Sequence, residues 1–220
     1  MTFQVALIGS DGLIVGSDRK TVYRSPNQYI TRGRSLQFNS DTKFATKEDN
    51  SIVCFYAGGP QSSSIANAIL TKADSSLDEH QWHYSLEEIA ASVPGNSVDD
   101  EVLVVRKSNP KFVSLLTRYN QIASSCKIED KICTGVPLTA RFITEHLWER
   151  RPVAELQSLA LLVLASAAVE HPSAVGRGFD LMTLRERSIV FERYEENDPQ
   201  VIAICNRFKR ATLDAIYGLH

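Results

Sequence analysis

The sequence predicts an α+β fold in which helices pack on antiparallel sheets. Segments with strand and helix patterns come in blocks along the 220 residues: strands, one or two helices, strands, two helices, strands and a last helix. A doubly wound parallel sheet would instead require strands and helices to alternate. Two consecutive segments with broad apolar faces, 138–149 and 153–169, also need a sheet to cover.

Composition is that of an ordinary globular chain. Apolar residues make up 43% and charged residues 23%, with 24 basic against 26 acidic side chains and a net charge of −2. This balance gives no electrostatic reason to expect nucleic acid or an anionic membrane as a partner. The most apolar run, 156–169, is shorter than the roughly 18 residues that indicate a membrane span, so we predict a core helix there. Without internal repeats or linkers, residues 1–220 are expected to form one domain.

The first 18 residues predict a hairpin. Residues 2–8 are rich in β-branched and aromatic types, residues 9–12 supply turn chemistry, and residues 13–17 resume the apolar run. The second strand ends at Asp18, near the level at which the first strand begins. We therefore expect Thr2 and Asp18 to be close in space.

A second hairpin follows a long segment with little periodicity. Residues 19–41 are predicted as a loop with room for one short strand, and Lys43 opens a strand pair over 43–46 and 51–57. The glycines Gly58 and Gly59 then lead into a helix over 62–71, with Pro60 in its first turn. Such a helix start presents free backbone N–H groups.

The remaining elements are predicted from periodicity and turn residues. Residues 73–84 are polar and predicted as a loop, and Asp198 before Pro199 predicts the start of the last helix. The other predictions are a short helix over 86–93, strands at 101–106, 112–117, 120–125 and 131–134, helices at 138–149 and 153–169, strands at 179–184 and 188–191, and a final helix to about Tyr217.

Thr2 is the candidate nucleophile. A threonine at a mature N-terminus carries its own base, because its free α-amine has an ordinary pKa of about 8. A nearby lysine ammonium, here Lys43, would lower the pKa of the amine, and Asp18 would hold the lysine in place. The backbone N–H groups of Gly58 and Gly59 can bind the developing oxyanion, and one such donor is typically worth about 3 kcal/mol of barrier.

These residues resemble a known family. The opening TFQVALIGSDGLIVGSDRKT is similar to the start of a proteasome β-subunit or of the bacterial HslV peptidase, with a matching Thr2 to Asp18 interval. The stretch DTKFATKEDNSIVCFYAGGP resembles that family's second hairpin, which makes Lys43 the catalytic lysine and Gly58 the oxyanion donor. ICTGVPLTARF resembles its GSGG-P turn, with Thr134 at the catalytic serine, and VGRGFDLMTL resembles its late strand.

The resemblance implies an N-terminal nucleophile hydrolase with a four-layer αββα sandwich. It also implies a homo-oligomeric ring, stacked as a double ring, that encloses the active sites and acts on peptides or unfolded proteins. Among bacterial relatives the chain is most similar to the betaproteobacterial proteasome homologues, with HslV-like and Anbu-like proteins as alternatives. An ATP-dependent unfoldase is a further partner of such rings, and no segment of this chain identifies one.

Several positions depart from the family pattern. The segment between Asp18 and Lys43 is longer than in a proteasome β-subunit, and it lies where the family builds its substrate-binding wall. Tyr56 would make the first specificity pocket shallow, which suggests a preference for small residues. The acidic partner of Thr134 falls at Glu170, His171 or Pro172.

The resemblance favours a threonine-type peptidase whose activity requires removal of Met1. The alternatives are a catalytically weak or inactive ring subunit, for which an N-terminal extension would be expected, and an amidase that acts on non-peptide substrates. We predict no metal and no cofactor, since the histidines and cysteines lack ligand spacing. The four scattered cysteines, with no signal peptide before Thr2, indicate reduced, mostly buried thiols in a cytoplasmic protein.

Overall fold

The computed structural model describes residues 3–23, 36–38, 42–58, 61–95, 99–109, 113–119, 122–135, 138–186 and 188–217. The strands are β1 (Gln4–Ile8), β2 (Leu13–Asp18), β3 (Thr21–Tyr23), β4 (Leu36–Phe38), β5 (Phe44–Thr46), β6 (Ile52–Gly58), β7 (Asp99–Arg106), β8 (Val113–Tyr119), β9 (Ile122–Glu129), β10 (Lys131–Thr134), β11 (Phe179–Arg185) and β12 (Ser188–Tyr194). The helices are α1 (Ser62–Lys72), α2 (Glu79–Ser92), α3 (Leu138–Leu147), α4 (Val153–Glu170) and α5 (Pro199–Tyr217).

Two five-stranded antiparallel sheets form the centre of the fold. The first sheet has the order β10-β1-β2-β11-β12 and the second β5-β6-β7-β8-β9, while β3 and β4 pair separately. Both predicted hairpins are present, as β1-β2 and β5-β6. Because strands distant in sequence meet in the first sheet, residues near position 4, 18, 134 and 180 become neighbours.

Three apolar layers separate four layers of structure. The inner layer lies between the two sheets and includes Ala6, Val15, Phe55 and Leu103. A second layer packs α1 and α2 on the second sheet, and a third packs α3, α4 and α5 around the first sheet. Successive side chains of one strand pack into opposite apolar layers, because they point alternately to the two faces of the sheet. The predicted α+β, αββα architecture is confirmed.

Helix α4 is a core helix, as predicted. It is long and apolar enough to cross a membrane, with a mean hydropathy of 1.6 over 18 residues. Its apolar surface is covered instead, because α4 packs on β1 and β2 with one side and on α3 and α5 with others. A helix that is apolar on most sides is expected at such a position.

The prediction of a loop over 73–84 is wrong in its second half. Helix α2 begins at Glu79, because the Asp78 carboxylate caps it by accepting a hydrogen bond of 2.9 Å from the Gln81 N–H. Trp82 and Leu86 are both buried and lie four residues apart on the face that packs on the second sheet. In the sequence this apolar spacing is hard to recognise, because polar residues of the solvent-facing side lie between Trp82 and Leu86.

The long segment after Asp18 contains two short strands that pair with each other, whereas the sequence left room for one. Each has only three residues, too few for a period of two to be recognised. Residues 24–35 and 39–41 lie outside the described residues, as does Pro60 before α1.

Candidate active site

Asp18 lies at the end of β2 with its carboxylate fully buried. Oδ1 accepts a hydrogen bond of 2.8 Å from the Phe3 N–H. Oδ2 accepts from the Lys20 N–H at 3.0 Å and from the Gly176 N–H at 3.1 Å. Three backbone donors therefore fix this carboxylate from three separate parts of the chain, a pattern that stabilises a buried negative charge.

Lys43 supplies the compensating charge. Its ammonium lies 3.1 Å from both carboxylate oxygens of Asp18 and also donates to the Lys20 carbonyl. Only 5% of the Lys43 side chain is exposed. Because Lys43 precedes β5 of the second sheet and Asp18 ends β2 of the first, the ion pair joins the sheets at one end of the sandwich. A buried charge of this kind requires a partner.

The predicted nucleophile, Thr2, lies outside the described residues. The next residue is firmly held, because Asp18 accepts from the Phe3 N–H with its side chain and donates its own N–H to the Phe3 carbonyl at 3.1 Å. The ring of Phe3 is buried in the helix-facing layer. The anchored backbone of Phe3 therefore lies beside the Asp18–Lys43 pair.

Gly58 ends β6, the strand paired with β5, and is exposed. Its φ of +91° is a backbone conformation that favours glycine. The Tyr56 N–H donates to the Lys43 carbonyl at 3.0 Å, which ties the Gly58 strand to the lysine. Gly59, the second glycine of the predicted turn, lies outside the described residues.

Thr134 ends β10 and pairs with Gln4 across the β10–β1 ladder. Its side chain is 1% exposed, and its hydroxyl has no hydrogen-bond partner among the described residues. The Gln4 amide is likewise buried with neither atom paired within that part of the chain. Buried polar groups are normally hydrogen-bonded, because leaving them unpaired is unfavourable. The Thr134 hydroxyl and the Gln4 amide can therefore still bind a further group beside the start of β1.

None of the three positions that the sequence indicated for the acidic partner forms a hydrogen bond with the Thr134 hydroxyl within the described part of the chain. The Glu170 carboxylate accepts from the Thr139 N–H at 3.1 Å, near the start of α3. His171 lies 3.5 Å from the same carboxylate, and the Pro172 carbonyl accepts from the Lys20 ammonium at 2.7 Å.

Two site residues were missed by sequence reasoning. Lys20 binds both Asp18, through its N–H, and the loop after α4, through its ammonium. Gly176 donates to Asp18 from that loop, and a Cβ at this position would lie 2.7 Å from the Cβ of Lys20. The only sequence signal was the glycine itself, in the stretch VGRGFD.

Tyr56, the predicted floor of a pocket, is half-buried and packs against the apolar layer under α1 and α2. Its hydroxyl donates to the Thr42 carbonyl at 3.1 Å. The ring therefore lies on the helix side of the second sheet, two residues before Gly58 at the end of the strand.

Comparison with known proteins gives a consistent picture of the fold. No protein-family model matches the chain, and no curated protein matches it. An Anbu mutant from a Hyphomicrobium species superimposes with a TM-score of 0.72 at 15% identity over 100% of this chain and 98% of its own. Anbu from Yersinia bercovieri, described as an ancestral β-subunit, gives 0.67 at 18% identity over 99% and 97%. The chain therefore has the fold of these Anbu structures.

A third Anbu-like structure, from Pseudomonas aeruginosa, is a helical assembly of the Anbu complex. It matches with a TM-score of 0.66 at 19% identity over 99% of this chain and 97% of its own. The likeness covers the two sheets and the helical layers on both sides. In this Anbu-like fold, the end of the sandwich at which β1 begins is the end that holds Asp18 and Lys43.

Proposed function

We propose that this protein is a threonine-type N-terminal nucleophile hydrolase, acting as a peptidase with Thr2 as the nucleophile after removal of Met1. The observation that carries the proposal is the Asp18 carboxylate, which binds the Lys43 ammonium and the N–H of Phe3 with the same oxygen. One buried group thus fixes both the residue after the nucleophile and the charge beside it.

The proposed reaction is acyl transfer to Thr2 followed by hydrolysis. The Thr2 hydroxyl oxygen attacks the carbonyl carbon of the substrate while its proton passes to the α-amine of the same residue. The oxyanion is stabilised by the Gly58 N–H at the end of β6. The protonated amine then gives its proton to the leaving amine, and a water molecule hydrolyses the ester formed on Thr2.

Lys43 and Asp18 support this cycle without bonding to the substrate. A fixed positive charge near the α-amine lowers the pKa of that amine, so more of it is neutral and able to accept a proton. Asp18 holds the ammonium in place, and the Thr134 hydroxyl supplies a further donor and acceptor next to β1. The low dielectric of the buried ion pair makes its effect on a neighbouring group larger than in water.

The same proposal includes a self-compartmentalised homo-oligomer in the cytoplasm, with peptides or unfolded proteins as substrates. The Pseudomonas aeruginosa Anbu assembly supports an oligomer for an Anbu-like fold, and a closed, stacked ring is the form we propose here. The free thiols of Cys54, Cys133 and Cys205 are in keeping with a reducing compartment. We place the chain nearest the betaproteobacterial proteasome homologues on the motifs given above.

Hydrolysis of short fluorogenic peptides by the Met1-free protein tests the proposal. We expect Thr2→Ala to lose activity by at least about a thousandfold, the size of effect seen when a catalytic nucleophile is removed. Thr2→Ser should retain part of it. Thr46→Ala, on the exposed side of β5, is the matched control and should behave as the wild type.

Two results would contradict the peptidase assignment in different ways. A Met1-free wild type without activity on any peptide, but with the same assembly as Thr2→Ala, would favour the scaffold subunit. Hydrolysis of small amides that depends on Thr2, without peptide hydrolysis, would favour the non-peptide amidase.

A further inference from the structure

Two side chains of β12 reach from the first sheet to the residues on either side of Lys43. Arg193 donates from Nη2 to the Thr42 hydroxyl at 2.9 Å. The rings of Phe191 and Phe44 have centroids 5.0 Å apart. Positions 191 and 193 share one face of their strand, and positions 42 and 44 flank the lysine, so the two contacts lie side by side. We call Phe191 and Arg193 the β12 brace.

The brace is anchored on a buried carboxylate. Arg193 donates from Nε to Asp180 at 3.0 Å, and the two residues are direct neighbours across the β11–β12 ladder. Asp180 is only 1% exposed, and its burial raises the pKa of its carboxyl while Arg193 opposes that rise. Because the guanidinium is planar and rigid, its two bonds fix the Thr42 hydroxyl relative to Asp180.

The opposite side of the same segment is held by β6. The Thr42 carbonyl accepts from the Tyr56 hydroxyl at 3.1 Å, and the Lys43 carbonyl accepts from the Tyr56 N–H at 3.0 Å. The backbone from which the Lys43 side chain extends is therefore attached to both sheets. Its ammonium then crosses back to Asp18 in the first sheet.

We propose that the β12 brace positions Lys43 for catalysis. Arg193 and Phe191 act through Thr42 and Phe44, the residues on either side of Lys43, and are therefore positioning residues. This inference rests on the proposed function, in which the place of the Lys43 charge sets the basicity of the nucleophile's amine. Displacement of a catalytic group by about 1 Å can lower a rate about a hundredfold, so a loosened Thr42–Phe44 segment would be measurable.

Thr42 offers the sharpest test, because its shape can be kept while its hydroxyl is removed. We expect Thr42→Val to lower kcat about tenfold with little change in KM, and Thr42→Ser to retain most of the activity. The acid limb of the pH profile should move to higher pH in Thr42→Val, because a less closely held Lys43 lowers the pKa of the amine less. A loss of folded protein alone would leave the pH profile in place.

Arg193→Met is a second test of the brace, and it should lower kcat as Thr42→Val does. The double variant should have a kcat close to that of either single variant, because each substitution removes the hydrogen bond between Arg193 and Thr42. Arg150→Met is the matched control, since Arg150 forms an exposed ion pair with Asp130 at the far end of the first sheet. It should leave kcat and the pH profile unchanged.

Hydrogen exchange of the Tyr56 N–H gives a readout that does not need activity. This amide should exchange faster in Thr42→Val and Arg193→Met than in wild type, Thr42→Ser or Arg150→Met. If the wild type is inactive, the proposed function fails, and only the hydrogen exchange of the Tyr56 N–H tests whether the β12 brace holds the segment around Lys43. A Thr42→Val variant with wild-type exchange would then overturn it. If the wild type is active, unchanged kcat and pH profile in Thr42→Val would overturn the brace and leave the function standing.

Discussion

Asp18 is the residue on which the candidate site depends. Its carboxylate receives three backbone N–H groups and the Lys43 ammonium, and these donors come from the residue before β1, the residues after β2, the loop before β11 and the residue before β5. A carboxylate surrounded in this way is immobile, so it can define where a neighbouring charge lies. An isolated buried carboxylate would instead be strongly unfavourable.

The side chain of Tyr56 leads to a prediction about which substrate residues are preferred. If its ring forms the floor of the first specificity pocket, Tyr56→Ala deepens that pocket. The wild type should then favour small residues before the cleaved bond, and Tyr56→Ala should shift the preference toward large apolar residues by about tenfold in kcat/KM, which is the range that a few methylene groups provide. A panel of fluorogenic peptides that differ only at this residue measures the shift.

Tyr56→Phe is the matched control for that panel. It keeps the ring and removes only the hydroxyl that donates to the Thr42 carbonyl. It should therefore retain the preference for small residues. A wild type that already favours large apolar residues would contradict the shallow pocket.

At the scale of elements, helix α4 is capped from a distant turn. Its first N–H, that of Val153, donates to the Asp11 carboxylate at 2.7 Å, and Pro152 at the capping position has no side-chain cap of its own. Asp11 lies in the turn between β1 and β2 and also accepts from Arg185 at 3.1 Å. The cap thus fixes the core helix to the hairpin that carries the candidate site.

Asp11→Ala should lower the free energy of unfolding by about 1 kcal/mol, the usual value of an N-terminal cap. The Val153 N–H, followed by Arg185, holds the pKa of Asp11 below its ordinary 3.8. A lowered folded-state pKa stabilises the fold above pH 3.8, and this contribution is lost as the pH falls through the lowered value. Urea unfolding at several pH values measures the difference between variant and wild type.

That difference should be full at neutral pH and shrink below pH 4. Glu48→Ala is the control, because Glu48 is an exposed carboxylate in the turn of the second hairpin. An Asp11→Ala penalty that stays constant from pH 7 to pH 3 would contradict a cap by the ionised carboxylate.

Most elements could be predicted from the sequence, because their patterns are local. Both hairpins, helices α1, α3, α4 and α5 and the strands of both sheets lie where periodicity and turn residues place them, with bounds that differ by a few residues. The first half of α2 could not, since its apolar spacing is interrupted by polar residues that face solvent. Strands β3 and β4 are too short to carry a pattern.

The site was only partly predictable for a related reason. Asp18 and Lys43 could be paired from the sequence because each stands in a recognisable hairpin motif. Gly176 is 158 residues from Asp18, and Arg193 is 151 residues from Thr42, so those bonds exist only once the first sheet has assembled. No local pattern encodes a contact that depends on strand order.

At the scale of the whole molecule, helix α3 presents an unusual surface. Leu138 and Phe142 are exposed apolar residues four positions apart, on one face of the helix, and the Phe142 ring stacks on His146 with centroids 4.0 Å apart. Single exposed apolar residues are common, but a cluster on one helix is typical of an interface. Since we propose a homo-oligomer, we expect α3 to pack against a second copy of the chain.

The double variant Leu138→Glu with Phe142→Glu should therefore reduce the assembly to smaller species while the circular dichroism spectrum stays unchanged. Ile202→Glu, an exposed apolar position on α5, is the control and should leave the assembly intact. Light scattering and electron microscopy measure the outcome. An unchanged assembly in the double variant would exclude α3 as a contact between copies.

The central claim is that Thr2, with a free α-amine, is the nucleophile beside the Asp18–Lys43 pair. Intact mass spectrometry combined with a threonine-directed covalent inhibitor tests it most directly. The account predicts a protein that lacks Met1 and carries one inhibitor adduct, which peptide mapping places on Thr2. Full hydrolytic activity in protein that retains Met1, or a Met1-free protein that forms no adduct on Thr2, would contradict it.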